Sequence, residues 1–156
     1  MATPEEAEER TLDLLEQIVE TLDLDAEIEV NSTDDSVTGT LHGEDLGLFI
    51  GKHGQTIDAI QHLATRIIQR DASEGQRIRV EIDAAGYRER RAEQLQQSAD
   101  EAAEKAIGDE QPVDLPAMNA AERRIVHQHL RDREDVETHS EGDEPRRYLV
   151  ITPVIP

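Results

Sequence analysis

Residues 51–54, Gly51-Lys52-His53-Gly54, stand between two apolar stretches, LGLFI before and QTIDAIQHLATRII after, and this placement limits the fold more than any other feature of the chain. Ile57, Ile60, Ala64 and Ile67 recur at helical spacing, so the tetrapeptide is the turn that enters a helix running to about Arg70. Glu44 to Ile50 reads as one short helical turn leading into it. Upstream, Leu12, Leu15, Val19 and Leu22 mark an amphipathic helix over residues 5–22. Ile28 and Val30, then Val37, Gly39 and Leu41, alternate on either side of turn residues Asn31 to Ser36 and predict a hairpin. Arg77 to Asp83 alternates without exception, with Ile78, Val80 and Ile82 on one face of a strand.

A long helix is expected from about Gly86, since Ala92, Leu95, Ala99, Ala102 and Ala106 fall at steps of three and four, with Gly108 as its C-terminal cap. Val113 to Leu115 reads as a short edge strand. Asn119 followed by Glu122 has capping-box spacing and opens a helix to about Arg131. Val136 to Ser140 and Arg147 to Thr152 then form two strands joined by SEGDEP.

Charge decides what the turn can hold. The net charge is −20, which repels nucleic acid and anionic lipid unless cations gather locally. They do: residues 1–50 hold 1 basic and 15 acidic groups, residues 51–90 hold 7 and 6, and residues 91–156 hold 8 and 15. At the Gly51–Gly54 turn the peptide N–H groups open a helix whose end carries partial positive charge, and the glycines let a phosphate backbone approach. Lys52 adds a formal charge and His53 a ring that can gain one. The loop is no Walker motif, which needs Gly-x-x-x-x-Gly-Lys-Ser/Thr. A helix–helix turn that binds nothing is the bland alternative.

In the C-terminal part, MNAAERRIVHQHL places Arg123 and His127 four apart on one helix face, flanked by Arg124 and Arg131, while Ile125 and Val126 turn toward a core. A solvated helix face is the default for such a pair, and a phosphate-binding stripe is the sharper reading.

The stretch GLFIGKHGQTIDAIQHLATRI resembles the core of KH domains in the type II, helix-first order α-β-β-α-α-β. That resemblance implies that the GKHG loop clamps about four nucleotides of single-stranded backbone. Bases would lie in a groove beside Ile50, Ile57, Ile60 and residues 77–82, although the same isoleucines serve equally as core. MNAAERRIVHQHL with VETHSEGDEPRRYLVITP resembles the R-three-H domain, named for its Arg-x-x-x-His motif, a small fold with a three-stranded sheet. Arg123 and His127 carry over as the motif pair, with Ser140, Arg146 and Arg147 as neighbours on the binding surface.

The pair is similar to the Jag family of bacterial RNA-binding proteins, in a short form without the extra N-terminal domain of longer members. The expected fold is α+β: a KH domain at 5–84 and an R-three-H domain at 85–156 that includes the long connecting helix. The RNA-binding residues implied are Gly51, Lys52, His53, Gly54, Ile50, Ile57, Arg123, His127, Arg124 and Arg147. The resemblance also implies RNA chaperoning or post-transcriptional regulation, a small KH-domain partner, and links to cell-wall homeostasis and cell shape.

Composition constrains these readings further. With 2 Tyr, 1 Phe and no Trp, no aromatic platform can stack successive bases, so recognition rests on backbone contacts and aliphatic packing. The absence of Cys excludes thiolate metal sites and Cys nucleophiles. His127 and His129 lie about 200° apart around a helix and cannot chelate one ion from one face. No cofactor, no metal and no enzymatic activity are expected. The acidic N-terminus and the lack of an apolar run of about 18 residues point to a cytoplasmic protein without membrane insertion. A protein-interaction scaffold, whose KH surface docks another protein, is the rival function.

Overall fold

In the computed structural model, which describes residues 2–155, the chain divides into two compact units, the first ending at Arg88 and the second beginning at Glu89. Each has its own hydrophobic core and its own three-stranded sheet.

The first unit opens with α1 (Pro4–Thr21), started by a capping box in which Thr3 Oγ1 accepts from Glu6 N and the Glu6 carboxylate accepts from Thr3 N. Strands β1 (Glu27–Ser32) and β2 (Ser36–His42) form the expected antiparallel hairpin. Helix α2 (Gly47–Ile50) is shorter than the Glu44 to Ile50 turn expected, because its hydrogen bonding begins at the Leu46 carbonyl. Then follow α3 (Gln55–Asp71) and β3 (Arg79–Ala84). The sheet order is β1-β2-β3, with β3 parallel to β2. Strand β3 begins two residues later than Arg77, since its partner β2 begins at Ser36 and the Arg79 amide donates to the Asp35 carbonyl at 2.8 Å.

Leu15, Val37, Leu41, Phe49, Ile57, Ile68 and Ile82 are fully buried at the centre of this unit. Gly39 sets the helix–sheet distance: a Cβ there would lie 2.8 Å from Leu15 Cδ1 and 3.0 Å from Ile82 Cδ1. The strand keeps a glycine because α1 presses on it, and β-propensity is sacrificed to that contact.

The boundary falls in the first turn of α4 (Tyr87–Asp109). Gly108 does not cap this helix, contrary to expectation. Helical bonding continues to Asp109, and Glu110 takes the left-handed conformation (φ 53°) while Gln111 N donates to Ala106 O and Glu110 N to Ile107 O. That pair of bonds is a Schellman ending built on a non-glycine residue. The remaining elements are β4 (Val113–Asp114), α5 (Ala120–Leu130), β5 (Val136–Glu141) and β6 (Tyr148–Pro153). They form an antiparallel sheet ordered β4-β6-β5, so β4 is an edge strand. The alanine stripe of α4 (Ala99, Ala102, Ala103 and Ala106) lies in the same buried cluster as Leu130, Val136, Leu149 and Ile151. Three polar links hold α4 in this unit: Arg91 to Glu122 at 2.7 Å, Arg133 to Glu104 at 2.8 Å and His129 to Asp100 at 2.9 Å.

Replacing Gly39 by Ala should destabilise the first unit by about 1–2 kcal/mol, because a methyl is forced into a filled helix–sheet gap. Urea unfolding measures this, and an unchanged midpoint would show that the gap is not set there.

Candidate nucleic-acid interface

The first candidate surface is built around the turn between α2 and α3. Phe49 and Ile57, one on each side, are both fully buried and pin the two helices to the core. The chain must therefore reverse within a few residues, and it does so through three positive φ angles: Gly51 at 75°, His53 at 54° and Gly54 at 76°. A Cβ on Gly51 would collide with the Thr56 side chain, and one on Gly54 with the Tyr87 ring. Both glycines are thus required by contact as well as by conformation. His53 adopts a left-handed conformation without being glycine, at a cost of order 1 kcal/mol.

Lys52 and His53 are driven outward and are exposed. Neither has an ion-pair or hydrogen-bond partner among the described residues. No side chain caps the N-terminus of α3, whose cap is Gly54 itself. The loop therefore offers two unopposed side chains at a helix start that no side chain caps, and the one carboxylate of the first turn, Asp58, is paired with Arg88.

The groove expected beside the loop differs in detail. Ile57 is 0% exposed, so its side chain belongs to the core and cannot touch a ligand, a correction to its place among the RNA-binding residues. Ile60 is buried as well, whereas Ile50 is half-buried at the margin of the core. The outer edge of β3 is already engaged by polar side chains that pattern reading did not single out. Gln61 Oε1 accepts from the Ile82 amide at 2.9 Å, and Arg88 Nε donates to the Ile82 carbonyl at 2.8 Å. Arg88 also donates to Asp58 and to Gln61, while Gln69 Nε2 donates to the Ile78 carbonyl. Between these clips the Val80 peptide faces the same outer side, by the alternation of a parallel ladder. The signal for Gln61 and Gln69 was two amide side chains on the helix flank nearest an edge strand, which only the strand order identifies.

The second candidate surface lies on the second unit. Arg123, Arg124, His127, Ser140 and Arg147, from α5 and the β5–β6 hairpin, line one shallow concavity of about 420 Å³ together with Thr138 and His139. No carboxylate lines it. The roles of the two arginines in α5 separate sharply. The Arg123 side chain is only 11% exposed, and its guanidinium donates to the Met118 carbonyl at 2.7 Å and to Glu144 at 2.6 Å. It ties the hairpin to the start of α5. Arg124 is exposed and has no partner among the described residues. The His127 ring hydrogen-bonds Thr138 Oγ1 across to β5. Arg147 braces the hairpin from within, donating to the Gly142 carbonyl at 2.7 Å. Beside it, hydrogen bonds from His139 and then Tyr148 hold the Glu141 carboxyl below its ordinary range, so that carboxylate is ionised wherever the protein is folded near neutrality.

Among the described residues no group of three or more His, Cys, Asp or Glu could hold a metal ion, and no helix is long and apolar enough to cross a membrane.

Comparison with known proteins matches residues 8–82 to the KH domain of the KhpA/KhpB type and residues 93–153 to the R-three-H domain. A Clostridium symbiosum protein named RNA-binding protein KhpB is 36% identical over 150 residues, covering 95% of this chain and 67% of that protein. Proteins of the same name from Lactiplantibacillus plantarum and Bacillus subtilis are 33% and 31% identical, covering 96% and 88% of this chain. The chain spans 46% and 66% of the length of those two.

Arg123→Ala should lower stability by about 1.5–3 kcal/mol, the range for charged hydrogen bonds at a part-buried site, whereas Arg124→Ala should change it by less than about 0.5 kcal/mol. Thermal melts of the two variants decide this. Equal midpoints would remove Arg123 from the structural role.

Proposed function

Because the chain belongs to the KhpB family, whose members join a KH domain to an R-three-H domain, we propose that it binds single-stranded RNA through the Gly51–Gly54 loop and through the concavity on α5. The observation that carries this reading is the loop: in a protein of net charge −20, Lys52 and His53 stand exposed and unopposed at an uncapped helix start. Phosphates supply the opposite charge, and the glycine backbone lets them come close. Ile50 sits at the edge of the same turn. On the second unit, Arg124, His127 and His139 are exposed basic groups of the concavity, with Arg123 and Arg147 shaping the hairpin they face. The two modules assigned from the sequence, 5–84 and 85–156, would each contribute one such surface.

Few phosphate contacts and no aromatic platform imply modest affinity, so the protein suits reversible work on RNA. We extend the proposal to RNA chaperoning or post-transcriptional control in the cytoplasm, alongside a small KH-domain partner and with effects on cell-wall homeostasis and cell shape.

The rival reading, docking of another protein, has one observation in its favour. Leu48 is 66% exposed beside a concavity of about 670 Å³ lined by Asp23, Asp25, Glu27, Glu44 and Asp45. Such a surface suits a basic partner rather than RNA.

Titration of labelled single-stranded RNA at several salt concentrations separates the two. Lys52→Asp with His53→Asp should reduce affinity more than tenfold while leaving the melting temperature unchanged, because both side chains are exposed. Unchanged affinity in that double variant would take the loop out of the mechanism.

A further inference from the structure

We infer that the outer face of α3 is an additional binding track for the phosphate backbone of single-stranded RNA, formed by His62, Arg66 and Arg70 and continuing from the GKHG loop. This deepens the RNA-binding reading and rests on it. The three residues are spaced four apart, so they share one helix face, and all three are exposed. From the start of α3 to Arg70 the rise is about 22 Å at 1.5 Å per residue.

The charges on this helix are arranged to leave that face positive. Its carboxylates are Asp58 and Asp71. Asp58 is held by Arg88 at 2.9 Å, and Asp71 is held by Arg10, with Arg70 Nε 3.3 Å away. His62 and Arg66 have no ion-pair or hydrogen-bond partner among the described residues. In a chain with 36 acidic groups, a helix whose every carboxylate is answered by arginine, and whose outer face carries Arg66 and Arg70 with no carboxylate, is a local inversion of the protein's field. Arg66 and Arg70 also flank a shallow concavity of about 460 Å³ with Ile67 and Gln69, and Leu63, 48% exposed, adds apolar surface on the same side.

The ligand class follows from the shape. The basic side chains recur at steps of about 6 Å along a line rather than converging on a cup, which suits a linear polyanion and not a compact anion. Arginine guanidinium planes can in addition stack on bases where aromatic rings are lacking. The bound length of strand therefore exceeds the four nucleotides that the loop alone would hold.

The test uses the full chain and a fluorescent twelve-nucleotide uridine strand, titrated at several salt concentrations. Arg66→Gln with Arg70→Gln should weaken binding at least fivefold and reduce the slope of log affinity against log salt by about 1.4, at roughly 0.7 for each single-strand phosphate that is no longer neutralised. Arg66→Lys with Arg70→Lys should retain the slope, which a purely structural role would not require. Lys105→Gln, which takes an exposed charge from α4, should leave it unchanged. Wild-type affinity and slope in the double Gln variant would overturn the inference. Failure of the unaltered chain to bind the strand at all would instead defeat the RNA-binding reading, and this inference with it.

Discussion

The interface depends on a reversal of the chain between two helices that are both anchored in the core. Phe49 and Ile57 are fully buried only eight residues apart, so the segment between them has no freedom to spread. Left-handed backbone at Gly51, His53 and Gly54 is the solution, and Thr56 and Tyr87 close over the positions where side chains would otherwise sit. Lys52 and His53 are exposed because the core leaves them nowhere else to go. Burial on both sides thus produces a cationic tip without any direct interaction that holds it out.

Electrostatics then works by local subtraction. A polyanionic protein can hold a polyanion only where its own carboxylates are absent or already matched. On the first unit, arginines contributed by α1 and by the start of α4 neutralise the two carboxylates of α3. On the second, the concavity on α5 is lined without acid, and the two carboxylates that contact its lining, Glu144 and Glu141, are held by Arg123 and His139. Salt bridges at such exposed positions add little stability. Their larger effect here is on the field, since each cancels a negative charge close to an exposed basic surface.

The Arg-x-x-x-His motif also changes meaning once it is seen folded. The spacing places Arg123 and His127 on one face, as helical geometry requires, and both do line the same depression. Yet Arg123 spends its donors on Met118 and Glu144, and His127 leans on Thr138. Arg123 braces the platform of the surface, while His127, exposed beside Thr138, and the neighbour Arg124 remain open to solvent.

Periodicity alone marked the helices, the hairpin and the strand within RIRVEID, because apolar spacing reports directly which face of each element is buried, whereas the two-module α+β organisation was implied by the resemblance of the GKHG and Arg-x-x-x-His stretches to known domains. The GKHG turn was equally legible, since glycines between two apolar helical stretches leave few other conformations. What only the tertiary structure decided concerns partners distant in sequence. Ile57 proved to be core rather than ligand-facing, α4 ended on Glu110 rather than Gly108, and the edge of β3 was met by Gln61, Gln69 and Arg88. Spacing within one element shows the direction of a side chain but not what stands opposite it. Whether a residue is free to bind therefore depends on the packing of elements that the local pattern never brings together.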